Sequence, residues 1–317
     1  MSWRDGLCRL GRRIGSGLSW RRRHLLWRLT VRWAMVRTAL RWVVRAPGRP
    51  HGLAVPLVVS LTSYPPRFPT LALTLQCLLT QDLRPDRVVL WVAHADLALL
   101  PPSVLALRRA GLTIAATEDL RSYKKIIPAL EAFPDTVIVT ADDDLYYPAD
   151  WLRQLVTGWE GRPDRIVCRR AHLIGRDGDR GLRPYREWEF ETLRGEDSTE
   201  IFPTGVGGVL YPPGSFPPEV LDRAAFLDLC PQADDVWLYW MGRRNGMRYR
   251  RVGDRAGLVF WDGTQEVALW NDNLAQDAND RQIGRMVARY GLPGVPPPMA
   301  DDKNGNEGEG NADARPD

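Results

Sequence analysis

The chain has 317 residues, of which 44% are hydrophobic and 26% are charged, a composition that excludes disorder along its whole length. Its net charge of +4 is unevenly distributed: residues 1–50 carry +12, residues 51–300 carry −4 and residues 301–317 carry −4. The mildly acidic body lacks the basic surface that binding of DNA or RNA by the folded domain requires, so we expect no nucleic-acid partner.

Residues 20–45 interleave arginine with tryptophan and aliphatic residues and contain no proline or glycine, which predicts a helix. Arginine interrupts every apolar run, so this helix is not expected to span a membrane, and no signal-peptide cleavage site follows it. We expect the basic arm, residues 1–50, to bind an anionic membrane surface. The alternatives are that it binds acidic partners or packs on its own body.

From residue 55 onward, short apolar runs alternate with helical patterns. The predicted strands are 55–64, 86–93, 112–117, 135–141 and 164–170. The predicted helices are 70–81, 102–111, 122–133 and 148–159. This alternation predicts an α/β domain over residues 51–290, built on a mostly parallel sheet that is flanked by helices. Residues 291–317 are rich in proline, glycine, asparagine and acidic residues, and they are predicted to form a disordered acidic tail.

In a parallel sheet of this kind, ligands bind beyond the carboxyl ends of the strands. Polar residues follow three of the predicted strands: Ser63, Tyr64 and Arg67 the first, Asp119 the third, and Asp142, Asp143 and Asp144 the fourth. Three consecutive carboxylates repel one another, and a hard divalent cation such as Mg²⁺ or Mn²⁺ would offset that charge and bridge to phosphate. The alternative is a solvated acidic turn or the cap of the next helix.

Other motifs exclude several enzyme classes. The sequences GxxxxGK[ST], GxGxxG and GxSxG are absent, which argues against P-loop NTPases, dinucleotide oxidoreductases and α/β-hydrolases. The four cysteines are far apart and form no cluster with histidine, so we expect neither a zinc site nor a disulfide framework. This cysteine usage fits a reducing compartment.

Several segments resemble glycosyltransferases. VVSLTSYPPRF and LQCLLTQDLRPDRVVLWVA resemble the opening of family-2 glycosyltransferases. TEDLRSYKKIIPAL, followed by VIVTADDDLYYPADWLRQL, is similar to the donor half of nucleotide-sugar-dependent GT-A glycosyltransferases. FPTGVGGVLYPPGSF and QADDVWLYWM resemble the glycine-rich segment and the acidic helix start of Fringe-like and β1,3-galactosyltransferase-type enzymes. The likeness runs from Pro56 to Tyr290 and extends to bacterial glycosyltransferases of surface-polysaccharide biosynthesis.

This resemblance implies a GT-A-like, metal-dependent enzyme that transfers a sugar from a nucleotide-sugar donor to a glycan or lipid-linked acceptor. It implies that Asp142 and Asp144 hold Mn²⁺ or Mg²⁺ against the donor diphosphate, and that Asp119 lies near the nucleotide base or ribose. The predicted donor-binding residues are Ser63, Tyr64, Arg67, Asp119, Lys124, Lys125 and Asp143. A solvated helix face is the alternative place for the two lysines.

The resemblance also implies a catalytic base. Asp235, with Asp234 beside it, matches the carboxylate that deprotonates the acceptor hydroxyl in inverting members, so we expect inversion. A plain helix N-cap is the alternative role for this pair. Gly205, Gly207 and Gly208 are expected to let the backbone approach the sugar or acceptor, and the alternative is a turn that precedes a strand.

The sequence departs from the GT-A pattern at the metal. Many GT-A enzymes supply a late histidine to the ion, and here no histidine follows His172. Asp262 or water is therefore expected to replace it, or the site is weaker. Four tryptophans either stack on a sugar or belong to the core: Trp237, Trp240, Trp261 and Trp270. The charged segment 171–200 is expected to be a flexible loop that closes over the donor.

Three other functions compete with this interpretation. One is a non-catalytic module that binds sugar nucleotides or polysaccharides on the same fold. A second is a HAD-type phosphatase, although those enzymes carry their DxD after the first strand and here it follows the fourth. A third is a nucleic-acid-binding arm on an unrelated body. The cysteines, the missing signal and the arm together predict a cytoplasmic protein at the inner face of a bacterial membrane.

Overall fold

The computed structural model describes residues 25–178, 181–254, 257–264 and 278–293. Its strands are β1 (Arg49–Pro50), β2 (Leu57–Thr62), β3 (Leu83–Arg84), β4 (Arg87–Ala93), β5 (Leu112–Thr117), β6 (Val137–Ala141), β7 (Arg165–Cys168), β8 (Ala171–Leu173), β9 (Ile201–Pro203), β10 (Val209–Tyr211) and β11 (Arg248–Arg251). Its α-helices are α1 (25–44), α2 (Phe68–Leu79), α3 (Pro102–Leu105), α4 (Ile127–Ala132), α5 (Trp151–Trp159), α6 (Arg223–Leu229), α7 (Asp234–Arg244) and α8 (Ala278–Tyr290).

A central sheet of seven strands organises the domain, in the order β11-β7-β10-β6-β2-β4-β5. Every neighbouring pair is parallel except those of β10, which runs antiparallel to both β6 and β7. The predicted α/β fold with a mostly parallel, helix-flanked sheet is therefore confirmed, and it is compatible with a Rossmann-like architecture. The sequence did not indicate the reversed direction of β10.

The predicted strands and helices occur where the sequence pattern placed them, with ends that shift by a few residues. The helix predicted over 102–111 begins as α3, tightens into a 3-10 helix over Ala106–Ala110 and stops at Gly111, whose φ of 100° is left-handed. The helix predicted over 122–133 divides into a 3-10 turn, Arg121–Lys125, and α4. Pro128 lies in the first turn of α4, where its missing N–H costs no helical hydrogen bond.

Both faces of the sheet are covered, which explains why its strands read as continuous apolar runs. Alternate residues of β2 show the division: Val58 packs in the cluster that contains Trp237 of α7, and Val59 packs in the cluster that contains Leu75 of α2. Trp237 and Trp240 are buried in this core together with Trp261, so the core alternative is confirmed for these three. Trp270 lies outside the described residues.

The helix α1 packs on the body along one face. Val31, Ala34 and Thr38 are buried, and Trp42 packs at the edge of the same cluster as α2. For residues 25–44, the alternative that the arm packs on its own body is therefore confirmed. The opposite face of α1 exposes apolar side chains: Leu25, Leu26, Leu29, Trp33, Met35, Val36, Leu40, Val43 and Val44.

Arg41 fastens α1 to two parts of the domain. Its guanidinium donates hydrogen bonds to the carbonyl oxygens of Cys77 at 3.1 Å and Thr80 at 2.6 Å, at the end of α2. It also donates to the carbonyl oxygen of Tyr147 at 3.0 Å, in the loop that follows the three aspartates. Across the described ranges, no helix combines the length and the apolar character that crossing a membrane requires.

Two other predictions meet the structure only in part. The segment 171–200 contains β8 and the buried side chains of Tyr185 and Trp188, so part of it packs against the core, while its closure over a donor stays a prediction. Residues 1–24 of the arm and 294–317 of the tail lie outside the described residues.

Candidate functional site

The reversed direction of β10 brings two distant loops to one edge of the sheet. Val209, the first residue of β10, pairs with Thr140 near the end of β6. Because the two strands run in opposite directions, the glycine loop (residues 205–208) precedes β10 at the same edge where the acidic turn (residues 142–144) follows β6. The predicted acceptor loop and the predicted metal ligands are therefore neighbours.

Two aspartates of the acidic turn are held by residues that follow β2. Asp144 forms a buried ion pair with Arg67, and Ser63 Oγ donates a hydrogen bond to Asp143 Oδ2 at 2.5 Å. Burial and the neighbouring charge of Asp144 raise the pKa of Asp143 to about 7, although the hydrogen bond from Ser63 opposes the shift. Burial likewise raises the pKa of Asp144. Since Asp144 is buried, the alternative of a solvated acidic turn is wrong.

Lys125 connects the acidic turn to the start of α7. Its Nζ lies 3.0 Å from Asp142 Oδ1 and 3.2 Å from Asp234 Oδ2. Burial lowers the pKa of Lys125, but the charges of Asp142, Asp234 and Asp235 outweigh it and raise that pKa well above its ordinary value. Lys125 therefore stays charged. It is buried, as is Lys124, so the alternative of a solvated helix face is wrong for both lysines.

Asp235 lies in the first turn of α7, where the backbone N–H of Gly205 donates to its Oδ1 at 2.9 Å. Burial, and after it the charge of Asp234, raises the pKa of Asp235 to about 7, against the opposing charge of Lys125. Ala233 occupies the N-cap position and no side chain caps α7, so the N-cap alternative is wrong for both aspartates. A carboxyl group with a pKa near neutrality is suited to exchange protons at that pH.

The three glycines of the loop contact two different groups: Gly205 contacts Lys125 and Asp235, and the other two contact Trp151. A Cβ on Gly205 would lie 2.8 Å from Lys125 Nζ and 3.0 Å from Asp235 Oδ1, so only glycine lets the backbone come this close. Gly207 and Gly208 both have a φ of 100° and pack on Trp151, whose Nε1 donates to the Gly207 carbonyl at 2.7 Å. Gly207 and Gly208 therefore determine the backbone conformation of the end of the loop that contacts Trp151, not of the end that contacts Asp235.

The remaining predicted donor residues lie at the accessible margin. Asp119 follows β5, its side chain is 66% exposed, and it pairs with Lys124 Nζ at 2.7 Å. The hydrogen bond from Lys124 is the main reason why the pKa of Asp119 is lowered. Tyr64 follows β2, is partly exposed, and hydrogen-bonds to Arg67. Tyr64 and Asp119 are thus more exposed than the predicted donor residues Ser63, Arg67, Lys124 and Lys125.

Other residues support the acidic turn and were not predicted. Tyr147 Oη accepts a hydrogen bond from the Asp142 backbone N–H at 2.8 Å. Thr74 Oγ1 lies 2.9 Å from the Asp143 carbonyl oxygen and itself accepts from Trp261 Nε1 at 2.8 Å. Tyr147 comes three residues after Asp144 and could have been suspected, but no local pattern indicates that Thr74 and Trp261 reach this turn.

The donor atoms of the cluster fit a hard cation. Five carboxylates meet two cations here: Asp142, Asp143, Asp144, Asp234 and Asp235 against Arg67 and Lys125. Within the described residues, no group of three histidine, cysteine, aspartate or glutamate side chains is arranged to hold a metal ion. Mg²⁺ commonly takes only one or two carboxylates and completes its shell with phosphate and water. Asp142 and Asp144 thus carry the ligand type that such an ion takes, and each is already paired with a cation, Lys125 or Arg67.

Sequence comparison adds no family assignment to this geometry. The chain matches no known protein-family model, and it matches no curated protein sequence.

Proposed function

We propose that the chain is a GT-A-like glycosyltransferase that moves a sugar from a nucleotide-sugar donor to a glycan or lipid-linked acceptor. The observation that carries this proposal is Asp235: it has a pKa of about 7 and accepts a hydrogen bond from the glycine loop. Lys125 lies between the acidic turn and the start of α7, so it connects the proposed base to the proposed diphosphate site. The resemblance to enzymes of bacterial surface-polysaccharide synthesis agrees with this arrangement.

In the proposed reaction, Asp235 accepts the proton of an acceptor hydroxyl. The hydroxyl oxygen forms a bond to the anomeric carbon of the donor while the bond from that carbon to the diphosphate oxygen breaks. The nucleoside diphosphate leaves with the electron pair, and attack from the opposite side inverts the anomeric centre. Gly205 keeps the carboxylate oriented through its N–H.

Asp142 and Asp144 would hold a divalent ion, Mn²⁺ or Mg²⁺, which supplies positive charge to the leaving diphosphate. Arg67 and Lys125 already lie against these two carboxylates and add fixed positive charge beside them. Ser63, Tyr64, Asp119, Lys124 and Asp143 complete the proposed donor site.

A thermal-shift panel tests the donor site in the full chain. Nucleotide sugars that carry UDP, GDP, CMP or dTDP are added with and without Mn²⁺. We expect stabilisation by one nucleotide class, dependent on Mn²⁺ and abolished by Asp144→Ala, because that change removes a proposed ligand and leaves Arg67 without its partner. If no donor stabilises the wild-type chain, the proposed donor site is wrong.

The rate of transfer should depend on pH through Asp235. Its pKa is raised to about 7, so the carboxyl group is protonated below that pH and cannot accept a proton, and it becomes available above it. We expect kcat/KM to rise about tenfold per pH unit below pH 7 and to level off above it. A profile recorded from pH 5.5 to 9 measures this. Asp143→Asn should keep the fall in kcat/KM below pH 7. If that fall disappears in this variant, the group that titrates is Asp143 and not Asp235.

We further propose that α1 docks the protein on the inner face of a bacterial cell membrane, as a cytoplasmic protein. The outward face of α1 carries exposed apolar side chains beside arginines, which is the combination that binds anionic headgroups and the adjoining acyl region. Co-sedimentation with phosphatidylglycerol vesicles, weakened by salt, is the expected result. Equal binding to vesicles of neutral lipid would contradict it.

A second candidate is a non-catalytic module that binds sugar nucleotides or polysaccharides. It is favoured by one observation, namely that Asp142 and Asp144 are already paired with Lys125 and Arg67. Such a module would bind a nucleotide sugar yet show no transfer in the wild-type chain. An assay for nucleoside diphosphate release in the presence of candidate acceptors separates the two functions.

A further inference from the structure

A pocket of about 530 Å³ adjoins the glycine loop on the side of Gly207 and Trp151. It is bounded by α1, by the loop that follows the acidic turn, and by the residues from Arg169 to Ala171. Its volume is in the range of pockets that hold small molecules. None of the residues assigned above to donor binding or proton transfer lines it, although Gly207 lies only two residues along the chain from Gly205.

The pocket has an excess of positive charge. Five arginines line it: Arg37, Arg153, Arg169, Arg170 and Arg251. Its three carboxylates are fewer: Asp150, Glu191 and Asp254. Two of them are engaged by arginines of the same pocket, since Glu191 pairs with Arg170 at 3.1 Å and Asp150 lies 3.7 Å from Arg153.

Arg169 is the arginine whose environment is least satisfied. Its Nη1 is buried and has no hydrogen-bond partner within the described parts of the chain. Burial is the main reason why the pKa of Arg169 is lowered; the charge of Arg251 adds to that effect, and the charges of Asp150 and Asp254 oppose it. A buried guanidinium N–H without an acceptor costs free energy, and an anion in the pocket beside the guanidinium would offset part of that cost through its charge.

Two further arginines of the pocket have no carboxylate within ion-pair distance among the described residues. Arg37 lies over the ring of Trp33, 5.1 Å from its centroid, and Arg251 donates to the backbone carbonyl of Asp254 at 2.7 Å. Arg37, Arg169 and Arg251 thus form no ion pair within the described residues, although Asp150 and Asp254 lie close enough to Arg169 for their charges to act on it. Guanidinium groups are suited to phosphate because they offer paired N–H donors in one plane.

The position of the pocket indicates where its anion comes from. Trp33 and Arg37 belong to α1, so one wall of the pocket is also part of the helix that exposes Val36 and Leu40. An anion carried on a lipid would place its headgroup in the pocket and its apolar chain along that face. An uncharged glycan would form no ion pair with the arginines of the pocket.

We propose that this pocket binds the phosphate or diphosphate group of a lipid-linked acceptor. The role as acceptor rests on the proposed glycosyltransferase function, and the binding of the anion does not. The glycine loop then separates two tasks: its Gly207 end borders the group that anchors the acceptor, and its Gly205 end holds the carboxylate that takes the proton.

Calorimetric titration of the full chain with farnesyl diphosphate tests the pocket, in EDTA and without a nucleotide sugar. Farnesyl diphosphate should bind, and Arg169→Gln should weaken it about tenfold or more, since one charged hydrogen-bonding group is lost. Arg37→Gln, on the exposed face of α1, should weaken it also and does not disturb the core. Arg108→Gln, an exposed arginine outside the pocket, is the matched control and should bind as the wild type does.

The other arms identify the source of the phosphate. Inorganic diphosphate should bind more weakly than farnesyl diphosphate, because it lacks the apolar chain. Arg169→Gln should leave binding to phosphatidylglycerol vesicles unchanged, and a parallel loss there would assign the pocket to bulk membrane lipid instead. Wild-type affinity in both Arg169→Gln and Arg37→Gln would overturn the proposal. Asp144→Ala should keep farnesyl diphosphate binding, so failure of the donor site and failure of this pocket give different results.

Discussion

Asp235→Asn is expected to abolish transfer while donor binding persists. Asparagine keeps an oxygen that can accept the Gly205 N–H, so the start of α7 should retain its structure. It cannot accept a proton at neutral pH, and loss of a general base lowers the rate by roughly 10²- to 10⁴-fold. Nucleoside diphosphate release measures the rate, and the Mn²⁺-dependent thermal shift measures donor binding.

Asp228→Asn serves as the control for that change, since Asp228 is an exposed residue of α6. It should leave both measurements at the wild-type level. Transfer at a near-normal rate in Asp235→Asn would show that another group removes the proton, and Asp234→Asn would then be the next variant to assay.

Lys125→Met should destabilise the fold as well as the site. Removal of the buried ammonium leaves Asp142, Asp234 and Asp235 without their shared counter-charge, and breaking a buried ion pair costs about 3–5 kcal/mol. Because Asp235, whose pKa is raised to about 7, can take up a proton, we expect a loss of about 2–4 kcal/mol in the free energy of unfolding at pH 8. Urea denaturation measures it.

The dependence of this loss on pH provides an internal check. The pKa of Lys125 is raised in the fold, so its stabilising effect is fully present below the pKa of an unfolded lysine and fades only as the pH rises through the folded value. Lys125 should therefore stay charged in the wild type from pH 6 to 9. The loss in Lys125→Met should nevertheless shrink towards pH 6, because Asp235, whose pKa is raised to about 7, takes up a proton there and no longer requires a counter-charge.

Lys124→Met is the matched control, one residue away. Lys124 pairs with Asp119, whose side chain is largely exposed, so the carboxylate that remains can be solvated. We expect a loss below about 1 kcal/mol. Equal losses in Lys124→Met and Lys125→Met would show that Lys125 has no special role in neutralising the cluster.

The order of the main elements from β2 to β7 could be predicted from the sequence because each of these strands and helices has a local pattern. The run VIVTA, followed by three aspartates, indicates a buried strand that ends in a charged turn without reference to the rest of the chain. The start of α7 at Asp234 was visible in the same way. The direction of β10 could not be predicted, because nothing in the sequence of a three-residue strand after a glycine loop indicates which strands it pairs with.

The electrostatics of the site could not be predicted because they depend on contacts between distant segments. Lysine is rarely buried, and the burial of Lys125 becomes favourable only when Asp142 and Asp234 converge on it. The elevated pKa of Asp235 has the same origin, in burial and the adjacent Asp234. The arginine pocket was missed for a related reason, since its residues are spread from α1 to β11.

The hydrogen bonds from Arg41 to three carbonyl groups set the orientation of α1 relative to the rest of the domain. They join α1 both to the end of α2 and to the loop beside the acidic turn, so α1 is attached to the domain at both places. If a bilayer holds the outward face of α1, it also fixes the height and tilt of the sheet edge above the lipid surface. Only acceptors whose reactive hydroxyl projects from the bilayer by that fixed distance would then reach the site. The distance between the hydroxyl and the lipid surface would thus select acceptors in addition to the contacts that bind them.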